Sequence, residues 1–214
     1  MSPTVPGRIV VLNGPPRSGK STIAASMQDR FEGVWMNLGV DVFVRGATPE
    51  RYRPGIGLRP GGERPEIEAL VPVLYAAMYE CVAVHSRLGL NVVVDVGHHD
   101  AYARPLGILP QVASQLDGLP ALLVGVRCPI EVIMQRRDAS QPGREGRYAT
   151  SAPDGAVPEV VRRWQREAHR PGIYDLEVDT SALSPPECAD LIGRRLVGGP
   201  PPTAFRRIAR SSRT

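Results

Sequence analysis

The chain has 214 residues, 42% hydrophobic and 22% charged, the proportions of a soluble globular protein long enough to bury a core without staples, with one domain as the first expectation. Its three cysteines, Cys81, Cys128 and Cys188, are odd in number and form no CxxC pair, which argues against a disulfide framework or a zinc ribbon and for a reducing cytosol. The formal charge of +4 is matched by Arg206, Arg207, Arg210 and Arg213 near the C-terminus, so the body is neutral and offers poor support for a nucleic-acid groove.

The first apolar run, residues 9–12, is far too short for a signal core or a membrane span. A cytoplasmic protein without a membrane partner is therefore expected. Residues 8–13 form a β-branched run ended by Gly14, a buried strand. A helix is expected over 21–31 and a second strand over 34–38, closing at Gly39-Val40-Asp41. Residues 45–65 carry five glycines and five arginines and read as a long binding loop on the acceptor side. A long helix follows over 66–88, then the unalternating strand 91–96 (NVVVDV), buried on both faces. Further helices are expected over 101–116, 130–138, 157–169 and 186–197, with strands over 121–126 and 174–178. The polar loop 139–156 is the candidate lid. Strands separated by helices imply a parallel five-stranded sheet covered on both sides, an α/β three-layer sandwich. Residues 1–197 form the domain, and 198–214, opening on a Pro/Gly break and ending in basic residues, read as a disordered tail.

The strongest chemical signal is Gly14-Pro15-Pro16-Arg17-Ser18-Gly19-Lys20-Ser21, a full G-x-x-x-x-G-K-S followed by Thr22, set between a strand and a helix. Such a loop curls its N–H groups around phosphate oxygens at a helix N-terminus. Lys20 would reach the β- and γ-phosphates and Ser21 would sit on Mg²⁺. Lys20 is also the only lysine among 26 basic residues, a compact ammonium in a chain that uses the fork-shaped guanidinium everywhere else.

Asp95, at the end of its strand, suits a second Mg²⁺ ligand, or else a cap for the next helix. With Lys20 the sole lysine, the guanine-reading NKxD is impossible, and the size fits a P-loop NTPase of the small-kinase type with ATP or GTP as donor. A kinase needs a base for the acceptor hydroxyl; Asp41, at the carboxyl end of the second strand, is the candidate, with helix capping as its other reading. It also needs cations over the transferred group, for which Arg136, Arg137, Arg144 and Arg147 offer three or four guanidinium groups at a helix end and on the lid loop.

Across about 11–192 these residues resemble the chloramphenicol phosphotransferases. The resemblance rests on VLNG and the phosphate loop, on GVD at 39–41, LLVGVRC at 122–128, His169, YDLEVDTS at 174–181 and ECA at 187–189. It implies that Asp41 deprotonates a primary hydroxyl of an antibiotic and that Arg136, Arg144 and Arg147 are lid arginines, on a lid several residues longer than the family's. The chain departs from the pattern at Asp95-Val96-Gly97-His98-His99-Asp100, where imidazoles replace apolar wall. His98, His99 and Asp100 are open to three readings: a metal site (a poor one, the histidines being adjacent), an exposed turn, or a polar acceptor wall. With the basic loop 45–65, the wall implies a more polar acceptor, such as a sugar- or nucleoside-bearing antibiotic, and resistance by modification. The rival readings are a toxin-type kinase of a cellular metabolite or nucleotide sugar, and a nucleotide-binding regulatory module recruiting a partner through its tail.

Overall fold

The computed structural model describes residues 5–139, 149–152 and 154–211. Five strands, β1 (Ile9–Asn13), β2 (Trp35–Asn37), β3 (Asn91–Val96), β4 (Ala121–Arg127) and β5 (Leu176–Asp179), form one parallel sheet in the order β2-β3-β1-β4-β5. The helices between them are α1 (Lys20–Arg30), the short turns α2 (Val40–Val42) and α3 (Pro65–Glu68), α4 (Val71–Arg87), α5 (Ile108–Gln115), α6 (Ile130–Asp138), α7 (Glu159–Glu167), α8 (Pro185–Gly198) and α9 (Ala204–Ser211). No helix among the described residues is long and apolar enough to cross a membrane.

Both sheet faces are covered, as the apolar strands require. Val10, Leu12, Val93, Leu122 and Val124 pack with Ile23 and Met27 of α1 and Ile192 of α8. Ile9, Val11, Val92, Val94 and Leu123 pack with Tyr75 and Met78 of α4, Val112 of α5 and Phe205 of α9. Each such side chain contributes about 1.5–3 kcal/mol by leaving water. Because β1 is central and the chain leaves it towards β2 before returning on both sides, the loops after β1 and β3 diverge at the carboxyl edge, where α/β sheets form their ligand crevice.

Several expectations change. The helix expected over 66–88 is broken: α3 ends at Glu68, whose buried carboxylate accepts hydrogen bonds from the Ala103 amide, and α4 starts anew with Pro72 in its first turn. The helix expected over 101–116 forms only from Ile108, because the Asp100 carboxylate takes the Leu106 and Gly107 amides and holds the preceding chain in a loop. The expected long loop 45–65 overlaps a π turn (Phe43–Ala47) and contains two 3₁₀ turns (Glu50–Tyr52, Gly55–Gly57). The tail expected to be disordered includes the ordered helix α9. Ala204, Phe205 and Ile208 lie on one side of it and are buried against the α4–α5 face of the core, and Asp175 accepts the Thr203 and Ala204 amides at its start.

Candidate active site

The loop after β1 turns tightly: Ser18 donates its amide to Pro15 O at 3.2 Å and Gly14 donates its amide to Val96 O at 3.2 Å, tying the loop root to β3. Gly19 adopts φ +95, and a side chain there would press on Thr180. From the first turn of α1, Lys20 Nζ donates to Pro15 O at 2.9 Å and so curls back over the loop. Burial lowers the Lys20 pKa to about 8, against the opposing pull of Asp95 and then Asp41. The Thr22 hydroxyl donates to Gly19 O at 2.7 Å.

Ser21 Oγ donates to Asp95 Oδ2 at 2.6 Å, so the helix hydroxyl and the β3 carboxylate meet across the crevice. Asp95 fits because residue 39 is glycine: a Cβ there would overlap Asp95 Oδ1. A hydroxyl beside a carboxylate is the hard-oxygen donor set that suits Mg²⁺ shared with phosphates and water. Among the described residues there is no cluster of three His, Cys, Asp or Glu side chains that could hold a metal alone.

These groups open on a cleft of about 520 Å³. It is lined by Lys20, Ser21 and Asp95, by Arg17 and Arg137, by Asp41, Val40, Val44, Ile56, Arg59 and Glu63, and by Val160 and Trp164 of α7. Asp41 sits on α2, half exposed, with Arg45 Nη2 3.7 Å from its Oδ2. The basic character of loop 45–65 is largely consumed within the loop. Arg53 donates to Thr48 O and Arg45 O, Arg64 donates to Arg53 O and Glu66, Arg51 lies over Tyr52, and Arg59 faces Glu63 at 3.8 Å.

The structure moves three predicted groups. Arg136 does not line the cleft: its guanidinium donates to Thr180 O at 2.7 Å, Thr180 Oγ1 at 3.0 Å and Arg17 O at 3.3 Å, bracing the phosphate loop from behind, while Arg17 donates in return to Arg136 O. Thr180 Oγ1 completes the brace by donating to Ser18 O at 2.8 Å. Its neighbour Arg137 lines the cleft instead. The α6 period could have shown this, because Arg137 follows Ile133 and Met134 on the face turned towards the protein.

His98 and His99 are not an acceptor wall either, since both turn into the core. His98 stacks on Tyr79 and shares a 2.7 Å hydrogen bond with its hydroxyl; burial brings its pKa down to about 3, so the ring is neutral. His99 Nε2 lies 2.9 Å from Leu58 O and its ring meets Trp164 edge-on. Asp100 caps the chain before α5, as described above. Arg144 and Arg147, and most of the expected lid over 139–156, lie outside the described residues.

Two residues of the site carry no mark in the sequence analysis: Trp164, which lines the cleft, and Asn13. Asn13 accepts the His98 amide at 2.8 Å and donates to Ala168 O and to the Tyr174 hydroxyl, which also meets His169 Nδ1 at 2.9 Å. The strand residue just before the phosphate loop is thus pinned from both sides, a buried asparagine among apolar neighbours being the signal that could have marked it.

Solved structures share this architecture. The tunicamycin resistance protein of Deinococcus radiodurans superposes with a TM-score of 0.55 at 17% identity, over 92% of this chain and 98% of that one. An APS kinase of Mycobacterium tuberculosis gives 0.57 at 18%, over 89% and 98%. A shikimate kinase of Acinetobacter baumannii gives 0.54 at 15%, over 91% and 94%. In sequence, a protein of Mycobacterium tuberculosis strain H37Rv, whose name proposes O-phosphotransferase activity, is 27% identical over 215 aligned positions, 94% of this chain and 88% of that one. The family model of chloramphenicol phosphotransferase-like proteins matches residues 7–197. The chain belongs to the chloramphenicol phosphotransferase-like family of P-loop phosphotransferases.

Proposed function

We propose that this phosphotransferase moves the γ-phosphoryl group of ATP or GTP, with Mg²⁺, to a hydroxyl of a small antibiotic, either chloramphenicol-like or carrying a sugar or nucleoside, and so confers resistance. The observation that carries the reading is that Lys20 and Asp41 line one cleft with the Ser21–Asp95 pair between the loops. The Asp41 carboxylate takes the proton of the acceptor hydroxyl, whose oxygen attacks the γ-phosphorus as the bond to the bridging oxygen breaks and the nucleoside diphosphate leaves. Lys20 and the N–H groups of Gly19 and of the first turn of α1 neutralise the β- and γ-phosphates, and Arg137 adds a guanidinium in the same cleft. Ser21 and Asp95 would hold Mg²⁺, which supplies charge neutralisation on the phosphates when bound. Apolar Val40, Val44, Ile56 and Trp164 beside Arg59 and Glu63 favour an acceptor that combines a ring with polar substituents.

A mass-shift assay tests this. The protein, Mg²⁺ and ATP or GTP are mixed with chloramphenicol or with a panel of sugar and nucleoside antibiotics. One added phosphoryl group that is absent with Asp41→Asn supports the proposal. Nucleotide turnover with no phosphorylated antibiotic moves the acceptor to a cellular metabolite, and growth arrest of the host without antibiotic would identify a toxin-type kinase. No turnover at all would overturn the enzymatic reading in favour of a binding module.

A further inference from the structure

Helix α7 and the loop 45–65 are clasped together at two points. His99 makes the first. Its Nε2 lies 2.9 Å from Leu58 O, and since a carbonyl only accepts, Nε2 carries the proton and donates. The indole of Trp164 meets the same ring edge-on, with centroids 5.0 Å apart, and Tyr102 packs on it at 4.3 Å. One residue earlier on α7, Arg163 makes the second. It lies against Gly61, whose φ is +122 and where a Cβ would overlap Arg163 Nη1, so glycine is what admits the guanidinium. We infer that His99 is a positioning residue for the acceptor side of the cleft, fixing the loop at Leu58 and the indole of Trp164 in one arrangement, an assignment that rests on the phosphotransferase reading of that cleft.

Both ends of the clasp belong to cleft walls. Leu58 is buried, but Ile56, Gly57 and Arg59 around it line the cleft, so the carbonyl that His99 holds sits within the acceptor wall. Trp164 lines the cleft together with Val160, one turn earlier on the same face of α7. Its indole also reaches the donor side. A Cβ on Gly97 would stand 2.9 Å from Trp164 Cζ3 and 3.1 Å from Gly14 O, which puts the ring beside the root of the phosphate loop. One imidazole thus relates the acceptor wall, through Leu58 and Trp164, to the loop that holds the donor.

A phenyl ring could pack against Tyr102 and Trp164 equally well. What the imidazole adds is one N–H, placed to satisfy a buried carbonyl. Burial lowers the pKa of His99, which keeps the ring neutral with its single proton on Nε2. The segment that carries His99 is itself locked. Asp100 takes the Leu106 and Gly107 amides, Glu68 takes the Ala103 amide, and Gly61 donates its own amide to Ala101 O. A side chain held in this way can hold two others to the precision that an in-line transfer requires.

Hydrogen exchange on the full chain tests the clasp without any acceptor. His99→Phe keeps a ring and removes the donor. It should speed exchange about 10-fold both in residues 56–62 and in α7, because the Leu58 carbonyl is left unpaired, with α1 unchanged. His99→Gln, whose side-chain amide can donate to Leu58 O, should restore both segments. Arg163→Ala, the variant to use should His99→Phe lose its helical circular dichroism, should loosen the same two segments. With ATP saturating and the acceptor that the mass-shift assay identifies, His99→Phe should raise the acceptor KM about 10-fold, while ATP affinity measured by calorimetry stays as it was. The inference would be overturned by a loop that loosens without α7, by no loosening in either segment, by a Gln variant as loose as the Phe variant, or by ATP affinity lost in step with the acceptor. Failure of the mass-shift assay to find an acceptor would tell against the antibiotic reading and leave the exchange measurement to decide the clasp by itself.

Discussion

At the scale of single residues, the site depends on what glycine leaves empty. Asp95 reaches Ser21 only because Gly39 has no Cβ, so Gly39→Ala should push the carboxylate away from the hydroxyl without touching the phosphate loop. A disturbed supporting contact of this kind lowers metal affinity about 10–100-fold. A magnesium titration of turnover should show that loss, and an unchanged titration would remove Asp95 from the metal site. Asp41 lines the same cleft. Asp41→Asn should lower kcat by about 10²–10⁴ and leave nucleotide affinity, measured by calorimetry, as it was. Equal turnover would remove Asp41 as the base. The place of Lys20 and Ser21 at the head of α1 was legible in the sequence because a phosphate loop between strand and helix fixes its own geometry over eight residues, and the strand 91–96 brings Asp95 to face them. His98 and His99 were not, because a residue just past a strand end is aimed by what surrounds it. Here Tyr79 and the Leu58 carbonyl draw the rings inward.

At the scale of elements, strands and long helices follow from their apolar patterns, whereas short helices depend on distant partners. The β3 and α6 bounds coincide with the expectation from sequence, because NVVVDV can only be a strand buried on both faces and Pro129 opens α6. The helix α9 was missed because a Pro/Gly break followed by arginines has the composition of a solvated tail. Its buried side is only Ala204, Phe205 and Ile208, a pattern too short to stand out before the groove it fills is known. Asp175 ties that helix to the sheet by accepting the Leu123 amide as well as those of Thr203 and Ala204. Phe205→Ala should therefore destabilise the whole domain by about 3 kcal/mol, read as a lower urea midpoint with an unchanged slope. A loss well under 1 kcal/mol would mean that α9 is not part of the cooperative unit. Arg206, Arg207 and Arg210 lie on the exposed side of α9, so three of the four arginines that match the charge excess belong to the covering of a core.

At the scale of the whole molecule, the alternation of strands and helices was enough to read the parallel sheet. The assignment of loop arginines was not, because a guanidinium can satisfy a carbonyl of its own loop as readily as it can face a ligand. The same burial that withdraws the histidines from the cleft makes the fold sensitive to acid. His98 is fully buried and its pKa is brought down to about 3 by desolvation, and His169 is brought down to about 4 by the same cause together with the charges of Arg127 and Lys20. An imidazole in the unfolded chain titrates near 6.5. Between that value and the folded one the unfolded state binds more protons, so the stabilisation is complete above about pH 6.5 and declines as the pH falls through the window towards 3. His98 alone should cost about 1.4 kcal/mol for each pH unit below 6.5, and His169 acts in the same direction. Carboxylates scarcely titrate between pH 7 and 5, so the histidines dominate that interval. Urea unfolding at pH 7 and at pH 5 should differ by about 2 kcal/mol from His98, and His98→Gln, which keeps a polar group beside the Tyr79 hydroxyl, should flatten the dependence. A variant as acid-sensitive as the parent would show that His98 is not held neutral by the core, and the sensitivity would then have to lie with His99 or His169, whose pKa values burial also lowers.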